Sequence, residues 1–333
     1  MKLFIRSSLF LLIGLFLLQL LAYIVREKAP DGTSMFLHLD QEHVRQVLDN
    51  SSTVESIVLG SSHGDDIDFS STRFHGYSLA RAWGDFFETE YYLKYLVPRL
   101  PELKVVFIPV GYFSFDWDNA QIDELAVRRE QVYTTIPSWS IIPGDFKDFF
   151  IGRGAQLVPI KTILRQDNWK GIFFSLIKAQ DTNSSNSTPT EDCKYVEISQ
   201  LAVQADARAD EQIQFAKEAR LSRPTIREDS YQAVVATIQY LLAHNIRVVF
   251  FTPPYYSEYT NHYRQNDFES IAAMQEMMKR LQRDFGIIYF DFSTDVRFVS
   301  DNKLFTDSDH LNLCGKQMFS KILDQALAAD TQK

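Results

Sequence analysis

Four short apolar runs, each followed by a turn signal and separated by longer amphipathic stretches, constrain this chain more than anything else in it. They lie at residues 56–60 (SIVLG), 104–110 (KVVFIPV), 247–252 (RVVFFT) and 287–292 (IIYFDF). Runs this short, rich in β-branched and aromatic residues, read as strands, the first two of them buried. The apolar spacing predicts helices over residues 88–100, 225–244, 268–285 and 313–328. Strands alternating with helices imply βαβ units, hence an α/β fold with a mostly parallel sheet covered on both faces, a three-layer sandwich. The stretch from about 112 to 224 breaks this rhythm and reads as an insertion. Its polar tract at 181–192 (DTNSSNSTPTED) has the composition of an exposed loop.

The N-terminus adds a separate element. Lys2 and Arg6 precede an uncharged, largely apolar stretch from Ser7 to Val25. A helix of that length spans about 28 Å, enough to cross a bilayer core. The run is too long for a signal-peptide core and ends without a small-x-small cleavage site, which favours an uncleaved single-pass anchor over residues 1–28. Basic residues on the two sides nearly balance, leaving a slight preference for the body outside. The remaining residues 29–333 carry the α/β body.

The 333 residues bear a formal net charge of -9, which argues against nucleic acid as the main partner. The two cysteines, Cys193 and Cys314, have no CxxC neighbour, so no zinc or redox motif is signalled. Cys314 falls in the apolar start of the last helix, and a plain buried thiol is expected there rather than a disulfide.

In open α/β sheets, chemistry gathers at the carboxyl ends of strands. After the first strand the chain reads Gly60-Ser61-Ser62-His63-Gly64-Asp65-Asp66. A serine on such a turn can project its hydroxyl among backbone N–H groups, or simply cap a helix start. Before the last helix stands Phe305-Thr306-Asp307-Ser308-Asp309-His310-Leu311-Asn312. A serine hydroxyl needs a base, usually histidine, and the histidine needs a carboxylate to fix its tautomer. Asp307 and His310 are close enough in sequence to meet, although either aspartate could instead cap the helix.

Together the Gly-x-Ser turn, the βαβ sheet and the Asp-x-x-His segment resemble the SGNH, or GDSL-type, hydrolase superfamily across roughly residues 54–328. The resemblance implies Ser62 as nucleophile, His310 as base and Asp307 as its orienter, with no cofactor and no metal. The family's second block, whose glycine N–H helps hold the oxyanion, has its counterpart in residues 77–84 (YSLARAWG), with Gly84 the donor. The third block departs from the pattern: Pro109-Val110-Gly111-Tyr112-Phe113-Ser114 has no asparagine after its glycine. That leaves the Ser62 N–H and Asn312 as substitutes for the missing oxyanion donor.

A membrane-anchored branch of the superfamily is similar in several places: the anchor, the Gly-Ser-Ser turn, residues 108–114, Thr252-Pro253-Pro254-Tyr255, and the ending Phe305 to Asn312. The branch includes the D-alanyl transfer protein of lipoteichoic acid synthesis and accessory proteins of alginate O-acetylation. It implies a periplasmic or extracellular domain beside a membrane-bound O-acyltransferase. Such a domain moves acyl groups from an acylated glycan or acyl carrier onto an envelope polysaccharide. Plain ester hydrolysis and a non-catalytic scaffold are the competing readings, and the scaffold needs none of the three residues.

Several neighbours have milder expectations. His63 reads as a solvated ion-pair partner of Asp65 and Asp66. The Asp65, Asp66, Asp68 cluster lacks the glycine and terminal glutamate of a calcium loop. Tyr112, Phe113, Phe115 and Trp117 suit either sugar stacking or packing. Arg81 is a candidate contact for an anionic polymer.

Overall fold

Five strands form one wholly parallel sheet in the order β2-β1-β3-β4-β5, with β1 at Ser56–Ser61, β2 at Gly76–Arg81, β3 at Val105–Pro109, β4 at Arg247–Thr252 and β5 at Ile288–Asp291. The computed structural model describes residues 43–121, 193, 196–299 and 301–330. The expected membrane anchor and the tract at 181–192 lie outside the described residues. Among the described residues no helix is long and apolar enough to cross a membrane.

Seven helices accompany the sheet among the described residues: α1 over 43–49, α2 Phe86–Leu96, α3 Ile198–Ser222, α4 Ile226–Ala243, α5 Ser257–Asn266, α6 Phe268–Phe285 and α7 Leu313–Asp330. The four apolar runs become β1, β3, β4 and β5, and the four expected helices become α2, α4, α6 and α7. The central strands β1, β3 and β4 are apolar between their end residues because both faces are covered. On one face Val58, Val105, Phe107, Val249 and Phe251 pack with Phe319, Leu323 and Leu327 of α7. The residues of opposite parity, Ile57, Val106, Ile108, Val248 and Phe250, are equally buried. Helices α2 and α4 contact β1 and β4, respectively, and one another.

The strand order reverses direction between β1 and β3, and the two strands part where the order reverses. β1 pairs with β2 along its whole length but with β3 only over Ser56–Val58. Continued register would set Gly60 opposite Pro109, which has no N–H to donate. Gly60 also adopts φ +125°, and a Cβ there would come 3.1 Å from Pro109 Cδ. The divergence lies at the carboxyl ends of the strands, the side on which ligands meet open α/β sheets.

The described parts of the stretch at 112–224 join the body: Asp116 accepts hydrogen bonds from Arg220 Nη1 (2.8 Å), Arg227 Nε (2.6 Å) and Ser270 Oγ (2.8 Å), binding the segment after β3 to α3, α4 and α6. The cysteines correct the sequence reading, since they form a Cys193–Cys314 disulfide with Cα atoms 5.3 Å apart. The buried stripe of α7 is Gly315, Phe319, Ser320, Leu323 and Leu327. Cys314 sits beside that stripe, half-buried, and faces the chain that leads into α3.

Candidate active site

The chemistry at the carboxyl end of β1 comes from two short segments. Ser62 opens a 3₁₀ turn, Ser62–Asp66, directly after β1. The second segment runs from Phe305 to Asn312, before α7. It closes on itself through a β-bridge between Phe305 and Leu311, both fully buried, and through Thr306 N–H donating to His310 O at 3.0 Å. The Asp307 carboxylate fills this loop, accepting the N–H groups of Asp309 (3.0 Å) and His310 (2.8 Å).

The expected triad residues come together. Ser62 Oγ lies 2.8 Å from His310 Nε2, and His310 Nδ1 lies 2.9 Å and 3.1 Å from the two oxygens of Asp307. Asp66 ties the two segments, its Oδ1 accepting Leu311 N–H at 3.0 Å. Burial pushes the Asp66 carboxyl up to about 7. Burial works against charge on His310. The hydrogen bond to Asp307 and the charges of Asp309, Asp307 and Asp66 outweigh it and raise the imidazole to about 9. The resting imidazole is therefore cationic near neutral pH, and its base form appears as pH rises.

The two other oxyanion candidates are committed elsewhere. Gly84 N–H donates to Arg81 O at 3.1 Å in the turn after β2. Glycine is needed there because a Cβ would lie 2.2 Å from Gly60 O. Asn312 caps α7, its Oδ1 accepting Gly315 N–H at 3.0 Å and its Nδ2 donating to Lys303 O at 2.7 Å. Of the three, the Ser62 N–H remains as the candidate donor.

His63 is not a solvated partner of Asp65 or Asp66. It is 1% exposed, with Nε2 3.3 Å from Asp309 Oδ2. Asp309, also 1% exposed, takes two further donors on the same oxygen, Arg208 Nε at 3.3 Å and Gln212 Nε2 at 3.0 Å. Burial pushes the His63 imidazole down, towards the neutral form. Burial alone would raise Asp309, but the His63 hydrogen bond and the charges of His310, His63 and Arg208 hold it well below the usual carboxylate range.

The remaining expectations resolve into structure. Asp65 accepts from Ser78 Oγ, and Asp68 caps the turn Phe69–Ser71. Arg81 pairs with buried Glu88 at 2.6 Å and lies over the Tyr92 ring, so it serves the fold. Tyr112, Phe113, Phe115 and Trp117 are buried and act in packing. Trp83, which the sequence reading passed over, takes a left-handed φ of +61°. It is held by Asn119 Nδ2 donating to its carbonyl at 2.8 Å, by stacking on Trp117 at 4.8 Å, and by Arg208 over its ring at 4.8 Å. A bulky residue persists at such a φ only where its surroundings over-determine it.

Among the described residues, the grouping able to offer ligand atoms to a metal is His63, Asp309 and His310. A cation there would meet the Arg208 guanidinium on the same carboxylate, and both His310 nitrogens already have partners. The residues therefore suit proton transfer better than metal binding. Arg208 and Gln212 had no legible signal, since α3 buries a stripe of Ala205, Ala209, Ala216 and Ala219 with little hydrophobic contrast. No protein-family model matches the chain, and no curated protein matches it at a significant level.

Proposed function

We propose that the protein is a serine acyl-transfer enzyme with an SGNH-like three-layer fold, anchored in a membrane and acting on a cell-envelope polysaccharide or related glycopolymer. The observation that carries this reading is the Ser62–His310–Asp307 relay, with 2.8 Å and 2.9 Å links, at the switch point of a parallel sheet. Ser62 Oγ attacks the acyl carbonyl of an acylated glycan or acyl carrier while His310 Nε2 takes the hydroxyl proton. His310 returns that proton to the departing oxygen, leaving an acyl ester on Ser62. A sugar hydroxyl then gives its proton to His310 and attacks the ester. The acylated acceptor leaves and Ser62 regains its proton.

The disulfide suits an oxidising compartment, which supports a periplasmic or extracellular body beside a membrane-bound O-acyltransferase partner. Hydrolysis is the second reading, favoured by the openness of the site at one end, where 44% of the Asp307 side chain is exposed. Water would then resolve the same ester. A scaffold role is the reading to eliminate.

The test is labelling of the detergent-solubilised full chain with a fluorophosphonate, beside its Ser62→Ala variant. Labelling of the unaltered chain alone supports an activated serine. Absence of labelling in both folded proteins would remove the enzyme reading and leave the scaffold. An ester substrate offered with and without oligosaccharide acceptors then separates transfer from hydrolysis.

A further inference from the structure

Consecutive residues of one segment face consecutive residues of the other: Ser62 meets His310, and His63 meets Asp309. The two contacts run side by side, with the imidazole rings of His63 and His310 5.0 Å apart. We infer that His63 and Asp309 are a positioning pair that holds the nucleophile in register with its base and makes that register depend on α3. The inference rests on the reading of Ser62 and His310 as a reacting pair.

Three observations carry it. The first is placement. Asp66 ties the far end of the serine turn to the second segment through Leu311 N–H at 3.0 Å. The His63 contact, one residue after Ser62 and fully buried, holds the end that carries the nucleophile. The second observation is the reach of Asp309. Its N–H donates to Asp307 Oδ1 at 3.0 Å, and its own Oδ1 lies 3.6 Å from His310 Nδ1. It therefore touches the orienting carboxylate, the base and the residue after the nucleophile. The third is its anchorage. Arg208 and Gln212 are one helical turn apart on α3, and both donate to Asp309 Oδ2. Gln212 Oε1 in turn accepts from Tyr259 O–H of α5. A helix within the stretch that broke the strand–helix rhythm thus grips the carboxylate beside the base.

The charged groups that act on His310 are Asp307 and Asp309 on its own loop and Asp65, Asp66 and His63 on the serine turn; Arg208 of α3 acts on Asp309, and Lys316 of α7 acts on Asp65 and Asp66. Asp309 is the one shared by both histidines. A misplacement of about 1 Å at a reacting pair costs up to about 100-fold in rate. Loss of the pair should therefore slow reaction at Ser62 by about 10- to 100-fold.

The experiment measures the fluorophosphonate rate and ester turnover of the full chain across pH, in His63→Ala, His63→Gln, Asp309→Asn and Arg208→Ala. His63→Ala should lose about 10- to 100-fold in kcat with little change in KM. His63→Gln, which keeps a side-chain N–H for Asp309, should recover most of that loss. Asp309→Asn should slow reaction and also move the alkaline midpoint to lower pH, because a carboxylate beside His310 is gone. Arg208→Ala should show a smaller loss of the same kind. Circular dichroism confirms that each variant is folded. Equal rates and equal midpoints in folded Asp309→Asn and the unaltered chain would overturn the inference. So would His63→Gln being as slow as His63→Ala. If the unaltered chain itself fails to label, the reading of Ser62 falls and the inference falls with it. If the unaltered chain labels and the pair variants match it, only the inference falls.

Discussion

The molecule holds two histidine–carboxylate pairs within one cluster, and they differ in what surrounds them. His310 and Asp307 sit at the edge, with 44% of the Asp307 side chain exposed, and the imidazole is raised to about 9. His63 and Asp309 are each 1% exposed, and the imidazole is pushed down. The contrast shows that a carboxylate partner does not by itself decide a histidine's charge. His310 has three carboxylates acting on it, Asp307, Asp309 and Asp66, and they overcome burial. His63 has one, Asp309, whose charge is shared with Arg208, while His310 opposes a second positive charge nearby. The outer pair is suited to moving a proton and the inner pair to holding a position.

The sharpest way to break this comparison is to remove the outer base. His310→Ala should lower the rate of ester turnover by about 10⁴-fold or more, as loss of a triad member does elsewhere. A fall of only tenfold would mean that His63 can act as base and that the two pairs are not distinct. Asp307→Asn should cost up to about 10⁴-fold, because the amide no longer selects the tautomer with a free Nε2. The same change at Asp309 should cost at least tenfold less than at Asp307 if the outer carboxylate is the orienter. Equal losses would erase the distinction between the two aspartates, and a larger loss at Asp309 would reverse the assignment.

The pH dependence sharpens the contrast further. Labelling of Ser62 should rise with pH and level off near the His310 value of about 9. Stability should move the other way. His310 binds its proton more tightly in the folded protein, so its contribution is complete below its unfolded value of about 6.5 and is lost as pH rises through about 9. It amounts to about 3 kcal/mol at most. His63 acts with opposite sign, since its folded value is lowered, and stability is lost as pH falls below about 6.5. Thermal unfolding of His310→Ala and the unaltered chain between pH 5 and 10 reads both effects. An unchanged alkaline slope in the variant would reject the His310 assignment.

The smallest expected effect on the site comes from opening the Cys193–Cys314 disulfide. Reduction should lower stability by about 2–5 kcal/mol, seen as a lower Tm, and slow labelling only severalfold. A larger loss of labelling at a temperature where the chain stays folded would show that the disulfide holds the base loop as well as α7.

Much of the sheet was legible in four apolar runs: three become the central strands β1, β3 and β4, covered on both faces, and the fourth becomes the edge strand β5, half-buried over Ile288 to Phe290 with Asp291 exposed. β2 was not legible. At Gly76–Arg81 it is an edge strand, half-exposed over its first three residues, and its sequence GYSLAR carries no apolar run. Helix α3 escaped for a related reason, since a stripe of alanines packs closely without a hydrophobic signature. At the site, the identities of Ser62, Asp307 and His310 could be read from local spacing and resemblance. The roles of Gly84 and Asn312 could not, because a close backbone approach and a helix cap depend on what the folded chain places beside them.

The sequence by itself determined the α/β alternation and the residue types at two strand-end segments, since both are properties of neighbours along the chain. Only the tertiary structure decided that Ser62 meets His310, that His63 is buried against Asp309, and that the two cysteines bond. Those contacts join residues 248, 246 and 121 positions apart, and they exist only once the sheet closes and desolvates the groups between its strand ends. Burial and charge then set which histidine holds a proton, and neither can be read from a residue's neighbours in the chain.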